Sequence, residues 1–230
     1  KQTYIKGTLV AENGKSYIPT IQAPVINKFE ATPLQKKNIE VLVNKYPTKE
    51  GKIAVMEAID GQLITNKLWL TPSLDGDTLK ANPASDILKM VVYNRYYPAA
   101  PTMAFIKNFG FKKGAIASTV AHDSHNIIAV GVSDTDIVNA INLLIEEKGG
   151  ISCVHQNQTK VMGLPVAGLM SREDPYKVAA NYTELDVMAK SLGSSLCSPF
   201  MTLSFMALLV IPHLKLSDKG LFDGDTFKLF

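Results

Sequence analysis

The feature that most constrains this chain is a succession of short β-branched runs with no long helical pattern between them. Ile39 to Val43, Lys52 to Ile59, Ile87 to Tyr93, Met103 to Ile106, Ala115 to Val120 and Asn126 to Val132 follow one another, separated by turn clusters such as Pro72-Ser73-Leu74-Asp75-Gly76. Runs of this kind predict an antiparallel or mixed sheet, because parallel strands need crossovers that are usually helical. A (β/α)8 barrel is excluded on the same ground. It takes about 250 residues in eight strand-helix units, and these 230 residues contain no internal repeat.

Helical patterns appear only later. Ser133-Asp134 caps a helix through Lys148, with Ile137, Ala140, Ile141 and Leu144 at helical spacing and Gly149-Gly150 as its stop. Strands follow over Ile151 to His155 and Lys160 to Val166. A second helix runs from about Pro175 to Leu192, with Val178, Tyr182, Leu185 and Met188 on its apolar side and Gly193 ending it. The tail from Pro199 fits buried helix and buried strand equally. At the other end, Thr3 to Val10 and Lys15 to Ile18 read as two strands joined by Glu12-Asn13-Gly14, whose Asn-Gly tolerates positive φ. So small a hairpin is not stable alone. Pro19, Pro24 and Pro33 mark Pro19 to Lys37 as a connector leaving it. The expected fold is α+β, a mixed and largely antiparallel sheet with two or more packed helices. Its expected division is a β-hairpin with connector over residues 1–35 and an α+β domain over residues 36–230.

Composition removes several function classes. At 46% apolar and 20% charged residues the chain is not disordered. Its 24 basic and 21 acidic residues leave a net charge of +3 with no basic tract, so nucleic acid is not the expected partner. The longest apolar stretch, Phe200 to Leu214, is broken by Thr202, Ser204, Pro212 and His213. It falls short of the roughly 20 residues of a membrane span and reads as core, so no membrane association is expected. Cys153 and Cys197 cannot make a disulfide framework and read, in apolar company, as core thiols. With no secretory leader in the opening residues, a cytoplasmic protein is expected.

The densest polar cluster in an apolar setting is His122-Asp123-Ser124-His125-Asn126, between the runs ending at Val120 and beginning at Ile127. Such a cluster belongs at a strand end or turn facing a cleft. On an extended backbone Asp123 and His125 share a face; on a helical turn His122 and His125 do. Either way an imidazole, which titrates near neutrality, lies close to another ionisable group and can serve as general acid or base. The competing reading is a surface turn whose Asp, Ser and Asn bond their own backbone. As a metal site the cluster is thin, since hydrolytic sites usually take three or more ligands. His155 sits in an Asn/Gln-rich turn, where it reads as solvated, and His213 follows a proline. No metal site or cofactor is expected in this chain. Dinucleotide, phosphate-loop and Gly-x-Ser-x-Gly patterns are missing. Gly110, Gly114 and Gly131 read as turn residues.

Several segments in register carry a resemblance. Asp86 to Tyr96, Phe109-Gly110-Phe111, Lys113 to Val120, the His-Asp-Ser-His-Asn cluster, Leu164 to Ser171, Pro199 to Phe205, Ile211 to Leu216 and Lys219 to Phe222 together resemble the C-terminal region of bacterial adenine deaminases. The resemblance covers about residue 38 to the end. Gly7 to Lys15 looks like the strands that follow the barrel of amidohydrolase-type enzymes and complete a small β-domain. The resemblance implies purine metabolism and salvage: hydrolytic deamination of adenine to hypoxanthine and ammonia. The water would be activated by a divalent metal pair (manganese, iron or zinc) in an amidohydrolase-superfamily barrel. That barrel, with its His-x-His pair, is absent from these residues. The implied partners are the barrel portion of the same enzyme, adenine and further copies of the protein. The implied site residues are His122, Asp123 and His125, supporting catalysis or touching substrate, with Ser118, Ser124 and Asn126 around them. Two other readings stay open: a self-sufficient metal-dependent hydrolase using His122 to Asn126, and a non-catalytic packing or oligomerisation module.

Overall fold

The computed structural model describes residues 1–19, 21 and 24–230; Thr20, Gln22 and Ala23, within the connector expected over Pro19 to Lys37, lie outside the described residues. Strands β1 (Gln2–Ile5), β2 (Thr8–Glu12) and β3 (Lys15–Ser16) form a small antiparallel sheet. The single strand expected from Thr3 to Val10 is two, because Lys6 and Gly7 turn the chain at φ of 49° and 80°. None of the three strands carries a buried residue. Along the chain, burial in the described residues begins at Ala31 and Leu34.

Downstream lie β4 (Thr48–Lys49), β5 (Lys52–Ala58), β6 (Thr65–Leu70), β7 (Ser73–Asp75), β8 (Thr78–Lys80), β9 (Ile87–Tyr93), β10 (Thr102–Lys107), β11 (Ala115–Ser118) and β12 (Ile127–Gly131). Helix α1 (Asp134–Glu146) follows, then β13 (Gly150–His155), β14 (Gln158–Gly163), α2 (Pro175–Ser191), α3 (Pro199–Ser204), β15 (Leu214–Ser217), β16 (Gly220–Asp223) and β17 (Lys228–Leu229). The main sheet has nine strands in the order β14-β13-β11-β12-β9-β10-β5-β4, with β6 also paired to β5. β10 and β5 are parallel; the other pairings are antiparallel. This is the expected mixed, largely antiparallel α+β architecture, with three helices and no closed barrel among the described residues.

Period-two alternation sends the strands' side chains into two cores. Val91 and Tyr93 of β9, Ala115 and Ala117 of β11, and Ile127 and Ala129 of β12 meet Ile137, Ile141 and Leu144 of α1. Their alternates Met90, Val92, Ile116, Ile128 and Val130 join a second core with Leu185 and Ala189 of α2 and Phe200 and Leu203 of α3. Strands covered on both faces read as continuous apolar runs, which is why they were visible without alternation. Each fully buried Ile or Leu contributes about 1.5–3 kcal/mol.

Caps fix the helices. The Ser133 hydroxyl accepts from Asp136 N at 3.1 Å, and Asp174 accepts from Tyr176 N at 2.9 Å with Pro175 opening α2. Within β9, fully buried Lys89 donates to Asp134 Oδ1 at 2.6 Å and to Ile39 O at 3.1 Å. The tail resolves into helix α3 followed by the β15–β16 hairpin.

Three expectations are corrected. The run Ile39 to Val43 is not a strand but lies across two short 3-10 turns, Lys36–Ile39 and Val43–Lys45. Ile39 enters the α1 core while Val41 enters the opposite one, so the segment crosses between layers. Cys153 is buried, and burial pushes its thiol up to about 12, but Cys197 is exposed on the α2–α3 connection, where its backbone N donates to Asp60 Oδ1 at 3.1 Å. His155 ends β13 half-buried with no hydrogen-bond partner for Nδ1, rather than in a solvated turn. Among the described residues no helix is long and apolar enough to cross a membrane.

Candidate functional site

The loop that joins β11 to β12 carries the polar cluster. His125 N donates back to Ala121 O at 2.6 Å, and His125 itself sits at φ +51°. The backbone therefore turns, and of the two arrangements open from sequence it is His122 and His125 that meet, ring centroids 5.4 Å apart at 67°. On its other side the His122 ring stacks on Phe205, 4.8 Å away at 20°, and the His122 backbone N–H donates to Ser204 O at 2.9 Å. The C-terminal end of α3 thus seats the first imidazole. Asp123 and Ser124 are exposed at the tip, while Asn126 is buried.

Arg95, immediately beyond β9, supports the loop from below. Its Nε donates to His125 O at 2.6 Å, and its backbone N donates to Asn126 Oδ1 at 3.4 Å. Tyr96 adds a bond from its hydroxyl to Ser124 O at 2.8 Å. Asn126 Nδ2 in turn donates to Ser124 Oγ at 3.4 Å.

Burial, reinforced by the neighbouring His122 and the Arg95 guanidinium, lowers the His125 pKa below the ordinary imidazole value; Asp123 opposes this weakly. His125 is thereby held neutral at neutral pH, and its Nδ1 is buried without a hydrogen-bond partner. Two imidazoles beside an exposed carboxylate can exchange hydrogen bonds and protons with a polar heterocycle presented to the loop.

The sixth residue singled out from sequence lies apart. Ser118 is buried at the end of β11, and its Oγ accepts from Val120 N at 2.9 Å. It faces a cavity of about 710 Å³ between the sheet and helices α2 and α3, lined also by Val120, Leu164, Met170, Tyr182 and Met201. The volume falls within the range of small-molecule pockets, about 300–1,000 Å³. His122, Asp123 and His125 do not line it. Among the described residues no three His, Cys, Asp or Glu side chains are gathered as a metal site. His213 pairs instead with Asp225, in a network that includes Lys67 and Asp223.

Sequence reasoning singled out neither Arg95 nor Phe205 as a site residue. The available signal was an arginine two residues after seven consecutive buried strand residues, where a charge is not needed for sheet pairing.

Comparison with known proteins accords with the resemblance. The family described as "Adenine deaminase C-terminal domain" matches residues 62–228. An adenine deaminase of Salinibacter ruber is 44% identical over 231 residues, covering 99% of this chain and 41% of its own length. One from Methanosarcina acetivorans is 48% identical over 231 residues, covering 98% of this chain and 42% of its own length. One from Borreliella burgdorferi is 46% identical over 228 residues, with 98% and 41% covered. The chain therefore spans about two-fifths of the length of the curated relatives it matches.

Proposed function

The chain belongs to the adenine deaminase family through its C-terminal domain, and we propose that it completes or covers an active site carried by the rest of such an enzyme. The observation that carries this reading is the match of 98–99% of the chain to proteins named adenine deaminase of which it makes up only 41–42%. The proposed reaction is hydrolysis. Water adds at the ring carbon that bears the exocyclic amine, that C–N bond breaks, and hypoxanthine and ammonia are released.

In this reading a divalent metal pair, of manganese, iron or zinc, belongs to a barrel portion outside this chain and supplies hydroxide near neutral pH. The residues present here do not fit that group, since His122, His125 and Asp123 are not gathered as a ligand set. The loop instead serves substrate. His122 and neutral His125, with Asp123 at the tip, contact the purine edge or the leaving amine; Ser124 and Asn126 hold the turn. Ser118, apart from the loop at the end of β11, would meet substrate only from the cavity it lines.

The barrel portion docks where apolar side chains stand in water: Ile21, Val25 and Ile26 on the connector and Met170 beside it are 50–81% exposed. Residues 1–35 are the remainder of a small β-domain flanking that barrel, and residues 36–230 the α+β domain. Assembly of further copies and a cytoplasmic role in purine salvage belong to the same reading.

Ammonia release from adenine tests it. In the full-length enzyme His122→Ala should lower turnover by more than about tenfold; an unchanged rate would remove the loop from the site. Deamination by the 230 residues alone would mean that the loop carries a site of its own.

A further inference from the structure

We infer that Arg95 is a positioning residue, a latch that ties the His122–Asn126 loop to the connector from the N-terminal sheet and to the loop over Leu164 to Met170. Its bearing on turnover rests on the functional reading above; its structural role does not. Arg95 is 2% exposed, and its guanidinium fans out to three separate segments. Nε reaches His125 O at 2.6 Å, Nη1 reaches Asn27 Oδ1 at 3.0 Å and Lys28 O at 3.3 Å, and Nη2 reaches Ala167 O at 2.6 Å. The main chain of the same residue adds a bond, Glu30 N to Arg95 O at 2.7 Å.

None of these partners is a carboxylate. A buried guanidinium is costly, and one held by carbonyls, an amide, the Tyr96 hydroxyl (from Nη2 at 3.0 Å) and aromatic faces leaves its charge unneutralised. What such an arrangement achieves is geometric, because a planar fork with five donors fixes several acceptors at once, which an ammonium cannot do. The surroundings are shaped to it. Phe29 and Tyr96 place their rings 5.6 and 4.4 Å from its carbon. Gly168 has φ +68°, and a Cβ there would lie 2.7 Å from Nη1, so the neighbouring loop has given up a side chain to admit the guanidinium. The unneutralised charge also lies beside His125, where it helps keep that imidazole neutral. The connector and the imidazoles therefore move together: a shift of residues 27–30 reaches His125 through one side chain.

The test uses Arg95→Gln and Arg95→Lys in the full-length protein. Amide hydrogen exchange at Glu30 and Ala167, which bond across these junctions to Arg95 O and Ile26 O, and at His125, whose bond to Ala121 O closes the loop's turn, should speed up by about tenfold or more in both variants, while the amides of β9 and β12 stay unchanged. The His125 imidazole, followed by NMR, faces His122, Asp123 and Arg95. It should titrate at higher pH in Arg95→Gln and keep more of its wild-type value in Arg95→Lys, which retains the charge without the fork. Unchanged exchange at the three amides, or an equal rise across the sheet, would overturn the latch. If Arg95→Gln does not fold, Arg95→Lys decides by the same comparison. Adenine turnover is measured separately. If His122→Ala leaves it intact, the functional reading falls, while exchange in the Arg95 variants still decides the latch.

Discussion

Lys215 offers a quantitative test of how the second core is built. It lies on β15 with no exposure, and its ammonium donates to Leu63 O at 2.6 Å and Phe205 O at 3.1 Å, with no carboxylate among its partners. Burial pushes its pKa from 10.5 down to about 8. Between those values the unfolded chain binds a proton that the folded chain has released, so stability rises with pH across the window. Below about pH 8 the folded protein carries the full penalty of a buried ammonium. At about 1.4 kcal/mol per pH unit the displacement corresponds to about 3 kcal/mol. Lys215→Met removes the titration and leaves two carbonyls without a donor, a loss of about 1–3 kcal/mol per carbonyl that does not depend on pH. Urea unfolding of both proteins from about pH 7.5 to about pH 10 should therefore show the wild type gaining about 2–3 kcal/mol relative to the variant. Cys153, whose thiol is raised to about 12, costs stability above pH 9, but it does so in both proteins and cancels in the difference. A difference that stays flat within about 0.5 kcal/mol would refute the argument that Lys215 is held against desolvation alone.

Two further outcomes follow from buried charge and from backbone shape. Asp134→Ala strands the Lys89 ammonium, 1% exposed, with only the Ile39 carbonyl, and should cost about 3–5 kcal/mol in chemical denaturation; Lys89→Met leaves an Asp134 that still reaches water and should cost clearly less. Equal losses would contradict the pair's asymmetric burial. Gly168→Ala combines a positive φ with a contact on Arg95, and should cost about 1–3 kcal/mol in a thermal melt while speeding exchange at Ala167; an unchanged melting temperature would mean that this loop yields to the guanidinium.

How far the fold could be read depended on where each segment gets its stability. β5, β9, β10, β11 and β12 were legible because strands with buried faces keep an unbroken apolar character, and α1 and α2 because Ser133 and Pro175 announce their starts. β6 begins Thr65-Asn66-Lys67, polar residues whose fit comes from outside the segment: Thr65 Oγ1 donates to Leu214 O at 2.8 Å and Lys67 to Asp223 at 2.9 Å. The Pro72 to Gly76 cluster looked like a mere turn, but Ser73–Asp75 pairs with Thr78–Lys80 around Gly76. In the site, the concentration of His122, Asp123, Ser124, His125 and Asn126 stood out locally, and its geometry waited on one backbone turn. Arg95 did not stand out, because its acceptors at His125, Lys28 and Ala167 lie 30, 67 and 72 residues away, and no local pattern records such partners.

That dispersal bears on the order in which the molecule can assemble. The loop's seats come from residues 27–28, from the end of β9, from residue 167 and from the end of α3, so ring closures across most of the chain precede it. A newly made copy in which β9 and β12 have paired but the Leu164 to Phe205 region has not yet packed holds neither His122 nor His125 in place. An ordered loop then reports that the domain is finished, and a half-folded copy has nothing well formed to offer a partner.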